Sequence, residues 1–534
     1  MQTITRPEAE RPGWRGAGAG RAFDVVAPLV LGVVAWFARW GSLPSDGLWF
    51  DDSWVAAGAK LGNPGNLLTV GSGHPGFTAI LLAVDRLGGG ELAYLGVPSL
   101  VFGALGPPAL YLGLRSFGYK RAISAVLGAA LVVAPIPILY AGRVKGYTLD
   151  TLAVLLIAVA LPLVARRTWR WPMAVAWTVA ALGVGTFSGY TLLATAAAGV
   201  ILAVHPAGDR RVRIAAVSVQ AVAQGAYYVV AQSKSDLAGV EEVIGTYFDG
   251  HMGFSWNPVT FGRELLAHLS RLAEVFPLSP GDNRWWLALL AVLSMVGLVL
   301  ASVKGRRSET VAARYLLLLV ILAAAASLVD RFPFGPSNEG QDPLFSVGGR
   351  YALWIVPALA FGLAALAQRV HRWAARRDQV RIAVDAGLLL AAFVIVVTGY
   401  ERAPAAPFPG SESATRFVDA SIGPDDRVVV TGSSTFSFAI STSTPVGVQA
   451  TPDHQVGFAP VYRDRRIMNI GGWAAERGSP AEIRSLIADA DRVFVMASGA
   501  LRNYEAVPVV LEAEGFTLSH AKQFEWDVVV IFRR

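Results

Sequence analysis

A succession of long apolar runs, each fenced by arginine, proline or glycine, restricts this chain more than any other feature. Runs of roughly 16 to 22 residues recur about eleven times, the length a helix needs to cross a bilayer. They lie near Val25–Trp40, Leu95–Leu114, Ala122–Tyr140, Thr148–Val164, Met173–Phe187, Tyr190–Val204, Ile214–Val230, Trp285–Val303, Val311–Leu328, Tyr351–Ala367 and Ile382–Thr398. Only 16% of the 534 residues are charged, against about 25% in soluble proteins. A segment with no polar face has nowhere to go in water, so the chain reads as a polytopic α-helical membrane protein.

The arginines give the spans a direction. Phe77–Leu87 is apolar but short, covering only some 16 Å of a core of roughly 30 Å, so it reads as a helix lying at the interface. With that segment left out and the N-terminus inside, every basic cluster falls on the inner side: Arg6/Arg11/Arg15/Arg21, Arg115/Lys120/Arg121, Arg166/Arg167/Arg170, Arg210/Arg211/Arg213, Lys304/Arg306/Arg307 and Arg369/Arg372/Arg376/Arg377/Arg381. Counting it as a span sends most of them outside. The odd number of spans then places the C-terminus outside a cell membrane. The net charge of +7 is accounted for by this orientation, not by a nucleic-acid partner. There is no cysteine, which excludes disulfides and thiolate metal sites. The first run has no small-residue cleavage site after it and reads as a retained span following a cytoplasmic tail, residues 1–24.

The outer loops are acidic and aromatic. Residues 41–94 carry Asp51-Asp52, Trp49, Trp54 and His74-Pro75. Residues Phe261–Phe276 are amphipathic at helical spacing and read as a second helix lying on the membrane. The spanning region ends near residue 400, and the proline-rich stretch 401–410 is a linker. Residues 411–534 alternate helix and strand patterns, which predicts a small, mainly parallel α/β domain outside the membrane. Its aromatics, Phe436, Phe438, Phe458, Tyr462 and Trp473, read first as core. The Gly432-Ser433-Ser434 turn lacks a full phosphate-binding fingerprint.

Four clusters carry candidate chemistry. Asp51 and Asp52 are like charges that resist desolvation together; they are a solvated helix start, or a general base or metal ligand. A carboxylate facing a membrane cavity can take the proton of an acceptor hydroxyl as a sugar is transferred to it. His74 is a helix start with proline following, or a donor to an anionic group. Arg143 and Lys145 break the inside preference for bases and are headgroup contacts or phosphate ligands. Arg350, after Gly348-Gly349, is a snorkelling arginine or another phosphate ligand. Cations and carboxylates on one face suit transfer from a phosphate-activated donor.

The ordered set of motifs resembles the polytopic GT-C glycosyltransferases, the group containing protein O-mannosyltransferases, the lipid A aminoarabinose transferase and actinobacterial arabinosyl- and mannosyltransferases. The matching residues are Asp51-Asp52, His74-Pro75-Gly76, Gly90-Glu91-Leu92-Ala93 with Pro98–Gly103, the inner basic turn Arg115–Arg121, the outer Tyr140, Arg143, Tyr147 and Leu149, and Arg350-Tyr351. The likeness is best over residues 25 to 165. Gly76 stands where the family often has a second proline, and Asp52 where glutamate is common. The resemblance implies a GT-C membrane domain over residues 25–400, a polyprenyl-phosphate sugar donor, a glycan, lipid or protein acceptor, inversion at the anomeric carbon and an outer active site. On it Asp51 is favoured over Asp52 as base, His74, Arg143, Lys145 and Arg350 bind the donor phosphate, and Trp54, Tyr147, Asp150 and Tyr351 line the substrate. A divalent cation is compatible with the carboxylates and not required. Two other functions fit the same scaffold: a transporter or flippase of lipid-linked glycans, and a non-catalytic glycan-binding protein. A transporter calls for charges or broken helices near the midplane, and the run centres here are Ala, Val, Leu and Gly.

Overall fold

The computed structural model describes residues 18–61, 74–206, 209–234, 255–275, 284–329, 334, 352–374, 378–400, 410–432, 434–450, 458–470, 480–498 and 506–534. A helix stands over each apolar run. In chain order these are α1 (Gly18–Trp40), α5 (Val97–Ser116), α6 (Arg121–Val132), α8 (Tyr147–Ala165), α9 (Trp171–Gly185), α10 (Gly189–Val204), α11 (Arg210–Lys234), α13 (Arg284–Lys304), α14 (Arg307–Leu328), α15 (Val356–Ala374) and α16 (Asp378–Tyr400). Among the described residues six stretches are long and apolar enough to cross a membrane: 21–40, 92–116, 147–165, 285–304, 307–328 and 353–373. The helices over 121–132, 171–185, 189–204 and 382–394 are apolar but shorter. Large apolar side chains such as Phe37, Leu163, Val222 and Phe393 remain exposed on these helices, the surface a lipid-facing helix presents.

The third run, expected as one span over Ala122–Tyr140, is broken. Its helix α6 stops at Val132, and a one-turn helix α7 (Pro135–Leu139) follows. Pro135 has no N–H to give and pushes Ala134 into extended backbone, which ends α6 there. The freed carbonyls of Leu131 and Val132 are taken by the guanidinium of Arg39, at 2.8 and 2.9 Å. Prolines elsewhere inside helices, Pro28, Pro107, Pro108 and Pro162, do not interrupt them, as is common in spans packed by neighbours.

Short helices occupy the loops. The loop after α1 holds α2 (Phe50–Lys60), α3 (Pro75–Leu87) and the single turn α4 (Leu92–Leu95). The segment expected to lie at the interface is thus a 13-residue helix with Pro75 in its first turn. The amphipathic stretch expected at Phe261–Phe276 is α12 (Pro258–Leu272), whose Asn257 caps the backbone N–H groups of Val259 and Thr260.

The bundle has two chemically different ends. At one, Tyr119 donates to Glu309 at 2.9 Å, the Lys120 amide donates to Gln368 at 2.9 Å, and Asp24 is held by Arg115 and Arg121. Every connection gathered there is basic. At the other, the Gly76 amide donates to the Thr186 carbonyl, Thr148 to that of Ser99 and Thr151 to that of Leu353.

Residues 410–534 form a domain on the second end. Five strands, β1 (Asp426–Thr431), β4 (Ile467–Ile470), β5 (Arg492–Ser498), β6 (Thr517–Phe524) and β7 (Asp527–Arg533), run in the order β4-β1-β5-β7-β6. A separate antiparallel pair, β2 (Val446–Ala450) and β3 (Phe458–Tyr462), was not foreseen. The sheet is mixed, not mainly parallel: β4-β1 and β1-β5 are parallel, while β5-β7 and β7-β6 are antiparallel. The reason is local. Only a two-residue turn separates β6 from β7, too short for the crossover a parallel pair requires. Helices α17 (Ser411–Ser421), α18 (Thr435–Ser441), α19 (Pro480–Ile487) and α20 (Ala506–Ala513) complete the domain. Phe438 and Phe458 are fully enclosed and Phe436 nearly so, in keeping with a packing role; Trp473 lies outside the described residues. In the turn after β1, the Ser434 hydroxyl donates to Asp527, whose carboxyl burial pushes up to about 8. That hydroxyl is engaged with an acid.

Candidate active site

Helix α2 is the element on which the site is built. Its residues from Asp52 to Ala59 are buried except for half-buried Trp54. One side meets Phe77 and Leu81 of α3. Phe436 and Ile440 of α18 and Phe458 of β3 join the same apolar cluster from the C-terminal domain. The alanines at 56, 57 and 59 let these neighbours approach closely, and each large apolar group so buried contributes about 1.5–3 kcal/mol. Asp51 and Asp52 fall in the first turn, where the helix dipole favours a negative charge. Neither caps the helix: Trp49 occupies that position and no side-chain cap bond is made.

Asp52 is only 2% exposed, which excludes the solvated reading of this residue. Its Oδ2 lies 2.6 Å from Nε of Arg143, itself 6% exposed. The Arg143 guanidinium stacks 3.8 Å from the centroid of Trp49 and 5.8 Å from that of Tyr140. Lys145 is 8% exposed and stands 4.0 Å over the ring of Trp54. Two cations expected at the headgroup level are instead enclosed on aromatic faces, each such contact worth about 0.5–2 kcal/mol. The 140–146 connection is pinned by close approach: a Cβ on Gly142 would run into the Ser42 carbonyl. The Ser99 hydroxyl also donates to the Lys145 carbonyl at 2.6 Å.

His74 occupies the cap position of α3 with no side-chain cap bond. It is half-buried. Burial, and then the charge of Lys145, lower its pKa from 6.5 to about 4. At neutral pH it is therefore uncharged, and offers an anion one ring N–H, not a cation. Asp150, in the first turn of α8, is buried and accepts a hydrogen bond from Ser188, the capping residue of α10. Tyr147 is half-buried and meets Tyr140 edge to face at 5.5 Å.

The structure thus brings together Asp52, His74, Arg143, Lys145 and Trp54, with Tyr147 and Asp150 in the first turn of α8, directly after the connection that carries the two cations. Asp51 lies on α2, one residue from Asp52, but its side chain is outside the described residues, as are Arg350 and Tyr351 altogether. Two participants were missed in the sequence. Trp49 carries the Arg143 stack, and its signal was the aromatic cluster around it. Ser188 holds Asp150, and its signal was an isolated serine between two apolar runs. Among the described residues no group of three or more His, Asp or Glu is placed to hold a metal ion.

No family model matches the chain, and no curated protein does. Among solved structures, ArnT from Cupriavidus metallidurans is 14% identical, with a TM-score of 0.49 over 96% of this chain and 98% of that one, both bound to undecaprenyl phosphate and in the apo state. The arabinofuranosyltransferase AftD from Mycobacteria, 14% identical, gives a TM-score of 0.48 over 98% of this chain, which spans 40% of its length.

Proposed function

We propose that the chain is an integral membrane glycosyltransferase. It moves a sugar from a polyprenyl-phosphate donor to a hydroxyl of a glycan, lipid or protein acceptor, on the outer face of the cell membrane. The observation that carries this reading is the enclosed pairing of Asp52 with Arg143, with Lys145 and His74 beside it, at the end of the bundle next to the C-terminal domain.

In the proposed reaction the acceptor oxygen attacks the anomeric carbon from the side opposite the phosphate. The new C–O bond forms as the old one breaks. The electron pair leaves on the phosphate oxygen, where Lys145 and Arg143 stabilise it. The acceptor proton passes to a carboxylate. Because Asp52 is engaged by Arg143, it serves to orient that guanidinium. Asp51 is turned about 100° from it on the helix and takes the proton. Trp54, Tyr147 and Asp150 line the sugar and its approach, and Arg350 and Tyr351 extend the donor side.

A flippase requires groups that bind cargo near the midplane. Among the described residues the buried acids and arginines of the spanning helices, Asp24, Arg39, Asp150, Arg213 and Glu309, lie within the first or last two turns, which favours the enzyme. The test is direct. Purified protein is supplied with a panel of radiolabelled polyprenyl-phosphate sugars and acceptor glycans. Transfer that is lost in Asp51→Asn, with thermal unfolding unchanged, supports the reading; full turnover in both Asp51→Asn and Asp52→Asn overturns the proposed base.

A further inference from the structure

At the basic end of the bundle a second cluster takes no part in this chemistry. Arg213, in the first turn of α11, is 0% exposed, and none of its three guanidinium nitrogens has a hydrogen-bond partner. The other fully enclosed arginine, Arg39, shows the usual solution: it donates to the carbonyls of Ala35, Leu131 and Val132. An enclosed guanidinium without hydrogen-bond acceptors is strongly disfavoured.

Its surroundings make matters worse. His205, itself buried, feels the charges of Arg213, Arg307 and Arg166, and Arg213 also faces Arg210. These groups come from three separate connections: the end of α8, the α10–α11 turn and the start of α14. Helices α11 and α14 both begin here and add the positive ends of their dipoles. One acid is close, Asp209, but its Oδ1 accepts the backbone N–H groups of Arg211 and Val212, at 2.9 and 3.4 Å, and so caps α11. The indole N–H of Trp169, in the connection that starts with Arg166, is a further buried donor without an acceptor. Donors and positive charge thus accumulate here while acceptors are missing.

We propose that Arg213, with His205, Arg166, Arg210 and Arg307 around it, forms a binding site for a phosphate group at the end of the bundle opposite the carboxylates. Arg213 supplies a two-pronged donor at the bottom, and the exposed Arg166, Arg210 and Arg307 form a charged rim. The headgroup of an anionic phospholipid and free phosphate present the same oxygens to it.

The experiment follows thermal unfolding of the full-length protein in neutral detergent. Dioleoyl phosphatidylglycerol is added in one arm, dioleoyl phosphatidylcholine in a second, and inorganic phosphate against sodium chloride of equal ionic strength in a third. Wild-type protein should gain about 3 °C or more by ligand linkage. A gain with phosphatidylglycerol alone assigns a lipid headgroup; a gain with inorganic phosphate assigns a soluble anion. The gain should vanish in Arg213→Gln and in the rim variant Arg166→Gln/Arg307→Gln, which reads the site even if the first variant folds poorly. Without added anion Arg213→Gln should unfold no lower than wild type, since it loses an enclosed, unsatisfied charge, whereas an arginine serving only packing would lower the midpoint. No gain in wild type with any anion, or an equal gain in the rim variant, overturns the proposal. None of these residues enters the glycosyl transfer, so either result leaves that reading to its own test.

Discussion

At the scale of single residues, the Asp52–Arg143 pair decides most. Two enclosed opposite charges add little net stability compared with an apolar pair, but removing one partner strands the other. Arg143→Gln and Asp52→Asn should each cost about 3–5 kcal/mol, read as a lowered unfolding midpoint, and both should abolish transfer. A change at Gly183, where a Cβ meets open space, is the control expected to be silent. His74 gives a pH signature of opposite origin. Its pKa falls from 6.5 to about 4 in the folded protein, so between those values the unfolded chain binds more protons. Stability must then fall as pH drops from 6.5 towards 4, by at most a few kcal/mol. His74→Gln should flatten that part of the curve relative to wild type; an unchanged difference between the two proteins across the window would show that His74 stays exposed.

At the scale of elements, the broken third run is the instructive case. Arg39 closes the end of α6 with hydrogen bonds to two of its carbonyls and a third to its own helix. Charge-assisted bonds of this kind are worth about 1.5–3 kcal/mol each. Arg39→Met should therefore destabilise the protein by several kcal/mol and loosen the 140–146 connection, seen as faster amide exchange at Val144 and Lys145. Much of this level was readable in the sequence. Eleven helices fall where the apolar runs are, α3 was foreseen by its length and its proline, and the basic connections do gather at one end. The two aspartates, His74, Arg143 and Lys145 stand out in the sequence because charge is rare in such a chain. What stayed hidden depends on distance in space. Nothing near Asp52 announces that its partner is Arg143 and not Lys145. Nothing near Arg39 reveals the carbonyls that Pro135 sets free. The mixed sheet follows from a two-residue turn that the sequence hid, because β6 runs on to Phe524, well past its apolar start.

At the scale of the molecule, the C-terminal domain is part of the site's construction. Its contact with the loop after α1 is polar as well as apolar. The Ser413 amide and hydroxyl donate to Asp46 at 3.0 and 2.8 Å, and Ser411 donates to the Leu48 carbonyl. Gly47 has a φ of 93°, and a Cβ there would collide with Ser411. Placing a charge in the apolar contact, as in Phe436→Asp, should detach the domain while the bundle stays folded. Proteolysis between residues 401 and 410 should speed up, and transfer should fall at least tenfold. Equal proteolysis of variant and wild type would mean that the domain is held by other contacts.

The bond between Ser411 and Leu48 joins residues 363 positions apart. That separation sets a timetable for synthesis. The helix bearing the two aspartates leaves the ribosome early, yet the surfaces that enclose it, Phe436, Ile440 and Phe458, are made only after the last span. Helix α3 can cover one side of α2 at once, but the surroundings of α2 are finished only when the C-terminal domain arrives. A chain cut short before residue 435 would hold α2 and α3 and still lack the second wall of their apolar cluster, so the loop that carries Asp52 is completed only by the C-terminal domain.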